Sequence, residues 1–485
     1  MMLYFLGGIA LLIIGYFVYG AFVEKILRPD DRKTPCVANP DGVDLLPLPL
    51  WKNMLIQLLN IAGIGPVIGV ILGIKFGKIA LLLIPIGCIL MGAVHDYAAG
   101  MMSLRMNGAN LPKIVEKYLG KTYASVFSWA MLILLLLVVA VFINVPAKLV
   151  SDSIFSNQNL FWCVAICIFI YYIAATLFPV DKIIGRVYPL FGALLILGSL
   201  AMFVSLLVFG FKDATIFNDC QAFSPFKEKN PIFPCLFVTI ACGIISGFHA
   251  TQSPIVARTM IAEKEAKLTF FGMMVAEGVI AMIWAQAALA IYNLEPNAIT
   301  QSGPVVLGVI TNRFLGSWMG VVTILAIIVL AITSGDTALR SARLSIGEMF
   351  DIDQVPIRKR IFTSLPLIGA VVVLLMWSNG ADGSFKKLWN YFAWGNQLLS
   401  ATALMTASAW LLSLNARFKV LVTLLPGMFM TAVVTTFILW TPGTEGHPVG
   451  IVPGGLGLVP SILCGVTISI LFAAFVVYRG RKVLK

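Results

Sequence analysis

Charged residues are scarce in this chain, and their scarcity excludes most soluble folds. Only 12% of the 485 residues are charged, whereas 59% are hydrophobic and the mean hydropathy is +0.95. Roughly a quarter of the residues in an ordinary soluble domain are charged. A soluble protein of this composition would lack polar surface, and its apolar runs are continuous rather than alternating as in a β-barrel. The composition therefore predicts an all-α polytopic membrane protein.

The chain also lacks the sequence patterns of common enzymes and pumps. Its three histidines do not have HExxH spacing, and it contains neither a Walker A loop nor a G-x-S-x-G elbow. The formal charge of +12 is dispersed, and the longest basic block is Arg358-Lys359-Arg360. We therefore expect no catalytic residues, no direct ATP drive, no cofactor and no nucleic-acid partner.

Long apolar runs predict about thirteen membrane spans, each roughly 20 residues long. They lie near residues 2–23, 53–74, 78–104, 122–147, 159–178, 185–211, 233–253, 266–292, 303–337, 360–378, 388–413, 417–440 and 458–478. We expect the ninth span to include a short outer helix before Gly316. About 25 of the 34 Lys and Arg residues then fall on one side and about 9 on the other. This bias places the N-terminus outside the cell and the C-terminus in the cytoplasm.

Two spans are interrupted by glycine and proline. The second contains NIAGIGPVIG at residues 60–69, and the seventh contains ACGIISGFHATQSP at residues 241–254. Irregular backbone within a bilayer must line a cavity, bind a ligand or be buried in protein. The two spans are an odd number of crossings apart, so they run in opposite directions, as an inverted repeat of five plus five helices requires.

This repeat predicts one transmembrane domain over residues 1–485. A peripheral helix and a cytoplasmic loop occupy residues 1–50, and the two repeats occupy residues 51–212 and 231–413. Two extra helices follow in residues 414–485.

The interruptions supply the candidate substrate-binding residues, because freed backbone groups and nearby polar side chains can hold a ligand. These candidates are Gly63, Gly65, Pro66, Gly243, Ser246, Gly247, His249, Thr251, Gln252 and Ser253. His249 could donate to a substrate carboxylate or titrate during transport. Two alternatives stay open: the glycines and proline form a packing kink, and the polar cluster lies in the cytoplasmic headgroup zone.

Other polar residues in apolar spans are candidates for cation or proton coupling. Thr333, Ser334 and Asp336 offer oxygen ligands for Na⁺ or its proton-coupled equivalent, although Asp336 could instead pair with Arg340. The remaining candidates are Glu277, His95 and Asp96. Glu277 could carry a proton or be a buried hydrogen-bonding partner, and His95 and Asp96 could simply hold a discontinuous helix.

Two expectations concern the loops. Cys220 and Cys235 flank one outer loop and could form a disulfide in an oxidising compartment. The charged residues Arg258, Glu263, Lys264 and Glu265 are interpreted as a solvated loop.

Four long strings resemble those of the carbon starvation protein A family of bacterial inner-membrane transporters. They are NIAGIGPVIG at residues 60–69, GAVHDYAAGMMSLR at 92–105, SGFHATQSPIVARTM at 246–260 and SGDTALRSARLSIGE at 334–348. The resemblance implies the leucine-transporter fold and the uptake of peptides or, for some members, of pyruvate with protons. It also implies that residues 63–66 and 246–253 line the substrate site. Thr333 and Ser334 would supply cation-site hydroxyls, with Ala62 completing the site if the ion is Na⁺.

We therefore expect a secondary active transporter in the bacterial inner membrane. It would take up short peptides or pyruvate during carbon starvation, by alternating access coupled to H⁺ or Na⁺. The alternatives are a membrane channel and an intramembrane enzyme that uses His95, Asp96 and His249. The substrate, the coupling ion and the oligomeric state are left open.

Overall fold

The computed structural model describes residues 2–155, 157–179, 184–218, 223, 228–381, 383–441 and 450–484, and this part of the chain is almost entirely helical. The main helices are α1 Met2–Leu27, α2 Leu50–Ile61, α3 Gly65–Phe76, α4 Ile79–Leu104, α5 Leu111–Leu119, α6 Lys121–Asp152, α7 Leu160–Leu177, α8 Ile184–Lys212, α9 Ala241–Ile244, α10 Gly247–Ala257, α11 Glu263–Leu294, α12 Gly303–Met349, α13 Ile357–Gly380, α14 Ser384–Ser413, α15 Phe418–Trp440 and α16 Leu458–Leu484. The described residues contain no strand, only two isolated β-bridges.

The expectation of a multi-pass α-helical membrane protein is confirmed. Among the described residues, 10 helices are long and apolar enough to cross a membrane, or up to 11 if the bent pair α2–α3 is one span. The other two expected spans are residues 233–253, which form several short helices, and residues 388–413 within α14. The count of thirteen stays a prediction.

The helices pack in two main groups. In one group, α12 packs against α6 and α7, and α13 packs against α6. In the other, α4 packs against α10, and α11 packs against α2 and α3. Helix α14 contacts both groups and packs with α15 and α16. Thr333 and Ser334 of α12 meet α2 between the two groups, whereas His95, Asp96, His249 and Glu277 lie within the second group.

Gly316 interrupts the 47-residue helix α12, as the sequence predicts. Its φ of +68° lies in a region that side-chain-bearing residues seldom adopt, and it separates a short segment from the rest of α12. The longer segment then carries Thr333 to Arg343 into the protein interior.

Candidate functional site

The chain between α2 and α3 is irregular. Helix α2 ends at Ile61, α3 begins at Gly65, and the two axes differ by 52°. Pro66 lacks a backbone N–H, and a five-residue π-helical turn over Gly65–Gly69 follows the bend. Ala62 and Gly63 lie in the bend and are buried. This geometry fits a bent span or a re-entrant loop.

Two hydroxyl groups of α12 bind the carbonyl end of α2. The Thr333 hydroxyl donates to the Leu59 carbonyl at 3.0 Å, and the Ser334 hydroxyl donates to the Asn60 carbonyl at 3.0 Å. These carbonyls have lost their partners in the next helical turn, so α12 satisfies them. The arrangement brings hydroxyl and carbonyl oxygens together, which are suitable ligands for a hard cation such as Na⁺.

Asp336 is buried beside these hydroxyls and binds two tyrosines. The hydroxyl of Tyr171 donates to one carboxyl oxygen at 2.6 Å, and that of Tyr188 lies 3.1 Å from the other. Tyr188 also lies 3.0 Å from the side-chain oxygen of Asn60 in α2. Neither tyrosine was a candidate, because no short motif marks a lone aromatic residue that donates across helices.

The chain between α9 and α10 is also interrupted. Ile245 and Ser246 have extended backbone dihedrals, and α10 begins at Gly247. The side-chain oxygen of Asn396 in α14 accepts a hydrogen bond from the Phe248 backbone N–H at 2.7 Å and another from the Ser246 hydroxyl at 3.1 Å. Asn396 thus caps α10 from a neighbouring helix.

The polar side chains of α10 are buried inside the protein. The hydroxyls of Thr251 and Ser253 donate to the carbonyls of Phe248 and His249 in their own helix, at 2.7 and 3.0 Å. The Gln252 amide nitrogen lies 3.0 Å from the Thr251 hydroxyl, and its amide oxygen has no partner among the described residues. In this conformation the two hydroxyls are therefore engaged within the helix.

Four titratable side chains from three helices form a buried cluster, which we call the acid–histidine cluster. Asp96 lies 2.8 Å from the Nδ1 atom of His95 and 3.0 Å from that of His249. The Nε2 atom of His249 faces Glu277 at 3.7 Å. Both oxygens of Glu277 and the Nε2 atom of His95 lack a hydrogen-bond partner within the described chain. The sequence predicted all four residues but not their association.

An open cavity of about 560 Å³ leads into the protein from the end that the charge bias assigns to the outside. Among the predicted substrate residues, Gly65 lines this cavity. Most of the other candidates are buried and are not among its lining residues: Gly63, Pro66, Ser246, Gly247, His249, Thr251, Gln252 and Ser253. Gly243 lies in α9, which packs against the first turn of α3. Their substrate-binding role stays a prediction.

The opposite end of the molecule, which carries most of the basic residues, contains buried ion pairs. Asp44, in the loop after α1, contacts Arg340 at 2.7 Å and Arg343 at 3.2 Å. Burial raises the pKa of Asp44, but the positive charges of Arg343, Arg340 and Arg258 outweigh this effect and lower the pKa to about 2. Arg340 thus forms its ion pair with Asp44 and not with Asp336.

The charged loop after α10 is not a solvated loop as a whole. Glu263 is buried and binds Arg105 at 2.7 Å, and Arg258 binds Glu348 at 2.7 Å. Lys264 is exposed, as expected. The expectation is wrong for Arg258 and Glu263. Residues distant in sequence supply opposite charges, which offset the free-energy cost of burying these side chains.

Two further expectations involve binding groups. Cys220 lies outside the described residues, so the Cys220–Cys235 disulfide stays a prediction, and Cys235 lines the open cavity. The described residues contain no group of three or more His, Cys, Asp or Glu side chains arranged to hold a metal ion. A Na⁺ site at Ala62, Thr333 and Ser334 would use carbonyl and hydroxyl oxygens instead.

Comparison with known sequences finds relatives along most of the chain. A sequence profile described as "Carbon starvation protein CstA" matches residues 1–176, 146–307 and 302–437. An uncharacterized membrane protein of Haemophilus influenzae is 43% identical over 61% of this chain and 93% of its own length. The peptide transporter CstA of Bacillus subtilis is 23% identical over 90% of this chain and 89% of its own. The pyruvate/proton symporter BtsT of Escherichia coli is 22% identical over 58% of this chain and 48% of its own length.

Solved structures with the same overall fold are also transporters. A manganese transporter of Eremococcus coleocola has a TM-score of 0.55 at 13% identity and covers 92% of this chain and 99% of its own. MhsT in complex with L-phenylalanine has a TM-score of 0.54 at 16% identity. The match covers 90% of this chain and 99% of MhsT. At this identity the likeness establishes the leucine-transporter-like fold. The transporter names of the relatives, together with the fold, indicate a membrane transporter and not an enzyme.

Proposed function

This chain belongs to the carbon starvation protein CstA family, and we propose that it takes up a small carboxylate-bearing nutrient as a secondary active transporter. The substrate class is a short peptide or pyruvate. Relatives named as a peptide transporter and as a pyruvate/proton symporter support this class. The family name supports a role during carbon starvation.

The single observation that carries this proposal is a cavity that opens toward one end of the molecule, with buried ion pairs at the opposite end. The cavity of about 560 Å³ reaches Gly65 at the first interruption, whereas the ion pairs of Asp44 lie at the opposite end. An alternating-access carrier must adopt such a state, because its site can open to only one side at a time. With the orientation from the charge bias, this state faces outward.

The two helix groups support the proposed inverted repeat. Under this proposal, the bent pair α2–α3 and the interrupted pair α9–α10 correspond, as the second and seventh of thirteen spans. The two repeats then occupy residues 51–212 and 231–413 within one domain of residues 1–485. The group with α6, α7, α12 and α13 would be the scaffold around which the group with α2–α4 and α9–α11 rocks.

The acid–histidine cluster favours H⁺ as the coupling ion. Proton binding can alter the contacts of Asp96, His249 and Glu277, and these residues lie on three different helices. A differential affinity for H⁺ between the two states would couple proton entry to the transition. If Na⁺ is the coupling ion instead, we propose that the hydroxyls of Thr333 and Ser334, beside Ala62, bind it.

A counterflow assay on proteoliposomes tests the substrate class. Vesicles preloaded with unlabelled pyruvate, dipeptide or tripeptide are diluted into a trace of the labelled compound, with pH and Na⁺ varied independently. We expect transient accumulation of label with at least one of these compounds. Absence of counterflow with all of them would overturn the substrate class.

A further inference from the structure

Two lysines are the charged residues that the described part of the chain contributes to the lining of the open cavity. They are Lys75 and Lys386, and no aspartate, glutamate or arginine among the described residues lines it. Lys75 is only 7% exposed, and no carboxylate among the described residues lies within 4.0 Å of its ammonium group. Within the described chain, this ammonium group donates one hydrogen bond, to the Gln301 backbone carbonyl at 3.3 Å.

An ammonium group in this position is costly unless an anion joins it. A charge within a membrane protein is expensive to bury, and such residues commonly mark the path of a substrate or ion. Lys386 is exposed at the same cavity, where water solvates its charge. An anionic ligand would therefore stabilise the buried ammonium group of Lys75 more than that of the exposed Lys386.

A second polar group of the lining lacks a hydrogen-bond partner among the described residues. Gln397 in α14 is fully buried, and its side-chain Nε2 group has no hydrogen-bond partner within the described chain. A buried N–H group without an acceptor is destabilising. An acceptor atom of a bound ligand would satisfy it.

The remainder of the lining is largely apolar. It includes six aromatic side chains, namely Phe76, Phe385, Trp389, Phe392, Phe437 and Trp440. Ligand sites commonly combine such walls with a few polar groups that fix orientation. The volume of about 560 Å³ can hold a short peptide with apolar side chains.

We propose that Lys75 binds the carboxylate of the substrate in the outward-facing state, that the Gln397 amide donates to another acceptor of the same substrate, and that the aromatic wall receives its apolar body. Neither residue belongs to the candidate set that the sequence supplied. This inference rests on the proposed function and makes the C-terminal carboxylate of a short peptide the determinant that selects it.

The test compares three probes in proteoliposomes that contain the full chain: the dipeptide leucyl-leucine, its C-terminal amide, and pyruvate. We expect the wild-type protein to transport the free acid and to discriminate against the amide. Lys75→Gln removes a charge-assisted hydrogen bond and should raise the KM for leucyl-leucine by about tenfold or more. Lys75→Arg keeps the charge and should restore most of the affinity.

Two further variants keep the test independent of folding. Gln397→Leu should raise the same KM without changing the charge of the cavity. Lys387→Gln is the control for the loss of a positive charge. Lys387 follows the lining residue Lys386 in the chain but is not itself among the lining residues. Size-exclusion profiles identify any variant that fails to fold.

The outcomes separate this inference from the proposed function. Equal transport of acid and amide, or an unchanged KM in folded Lys75→Gln and Gln397→Leu, would overturn the carboxylate site while leaving the carrier intact. Pyruvate transport that is insensitive to both substitutions would also overturn it. A wild-type protein that transports neither leucyl-leucine nor pyruvate would refute the proposed substrate class, and the site with it.

Discussion

Glu277 is the buried acidic residue with the fewest polar partners in the acid–histidine cluster. Neither of its oxygens accepts a hydrogen bond within the described chain, and the Nε2 atom of His249 is 3.7 Å from one of them. An unpaired carboxylate in such surroundings is strongly disfavoured, whereas a neutral carboxyl group is tolerated. Glu277 is therefore the residue that we expect to carry the coupling proton.

Substitution of Glu277 tests this role. Glu277→Gln keeps the size of the side chain but cannot release a proton, so the stimulation of uptake by external acid should disappear. Exchange of labelled for unlabelled substrate should persist, because exchange needs no net proton movement. Both are measured in proteoliposomes at external pH values between about 5.5 and 7.5.

Gln286 in the same helix provides the control. It is also buried, but its amide nitrogen donates to the Ile216 backbone carbonyl outside the cluster. Gln286→Glu therefore should not reproduce the loss of acid stimulation. Full acid stimulation in Glu277→Gln would refute the role of this residue as proton carrier.

At the scale of the residue, the sequence identified which polar residues are important better than it identified which of them contact each other. A His, an Asp or a Glu in an apolar run is conspicuous because burial of its charge is costly. The sequence thus pointed to His95, Asp96, His249 and Glu277. It could not show that α4, α10 and α11 bring them together, since their contacts depend on how helices pack.

At the scale of the element, each helix interruption is stabilised by a side chain from another helix. Thr333 and Ser334 bind the carbonyl end of α2, and Asn396 caps the amide end of α10. Glycine and proline in the sequence indicated where regular hydrogen bonding fails. The partner of each freed group lies hundreds of residues or many turns away, so no local pattern could name Asn396.

The two α12 hydroxyls offer a test at this scale. Combined Thr333→Ala and Ser334→Ala substitutions remove the oxygens that face Leu59 and Asn60, and should weaken the dependence of uptake on the coupling cation. The measurement is the concentration of Na⁺ or H⁺ that gives half-maximal uptake.

Thr337→Ala is a suitable control for this double variant. Among the described residues, the Thr337 hydroxyl has acceptors only in its own helix, the carbonyls of Thr333 and Ser334 at 3.0 and 3.2 Å. An unaltered cation dependence in the double variant would assign Thr333 and Ser334 to packing. An equal effect of Thr337→Ala would point to a general disturbance of α12.

At the scale of the whole molecule, the Asp44 ion pairs lie at the basic end. They connect the loop after α1 to α12, and Arg340 further donates to the backbone carbonyls of Ala175 and Phe178 at the end of α7. Inward opening of the proposed carrier must separate some of these contacts. The charge bias indicated which end is basic, but the sequence did not show that a loop acid pairs with buried arginines.

Loss of Asp44 should destabilise the basic end. Asp44→Asn leaves Arg340 and Arg343 without their carboxylate partner, and a broken buried ion pair costs about 3–5 kcal/mol. We expect a lower thermal unfolding temperature and a larger fraction of inward-open molecules, measured by thiol labelling of a cysteine introduced at this end.

The pH dependence of this effect has a defined sign. The folded-state pKa of Asp44 is lowered from 3.8 to about 2, so its stabilising contribution is present above pH 3.8 and is lost as the pH falls toward 2. The stability difference between Asp44→Asn and wild type should therefore be constant from about pH 5 to 8. A difference that disappears within that range would contradict the ion-pair assignment.

Asp31→Asn is the control for Asp44→Asn. Asp31 pairs with Lys264 at 2.6 Å, but both side chains are largely exposed. Exposed pairs contribute about 0–1 kcal/mol. A comparable loss of stability in both variants would show that burial of the Asp44 pair is not the cause.

Concentrative uptake tests the central claim most directly. Proteoliposomes with an acidic exterior and a neutral interior are supplied with labelled leucyl-leucine or pyruvate, and internal label is followed over time. We predict accumulation above the external concentration, and its collapse when a protonophore dissipates the gradient. Equilibration without accumulation under H⁺ and Na⁺ gradients alike, and without saturation, would contradict a coupled carrier and identify a channel.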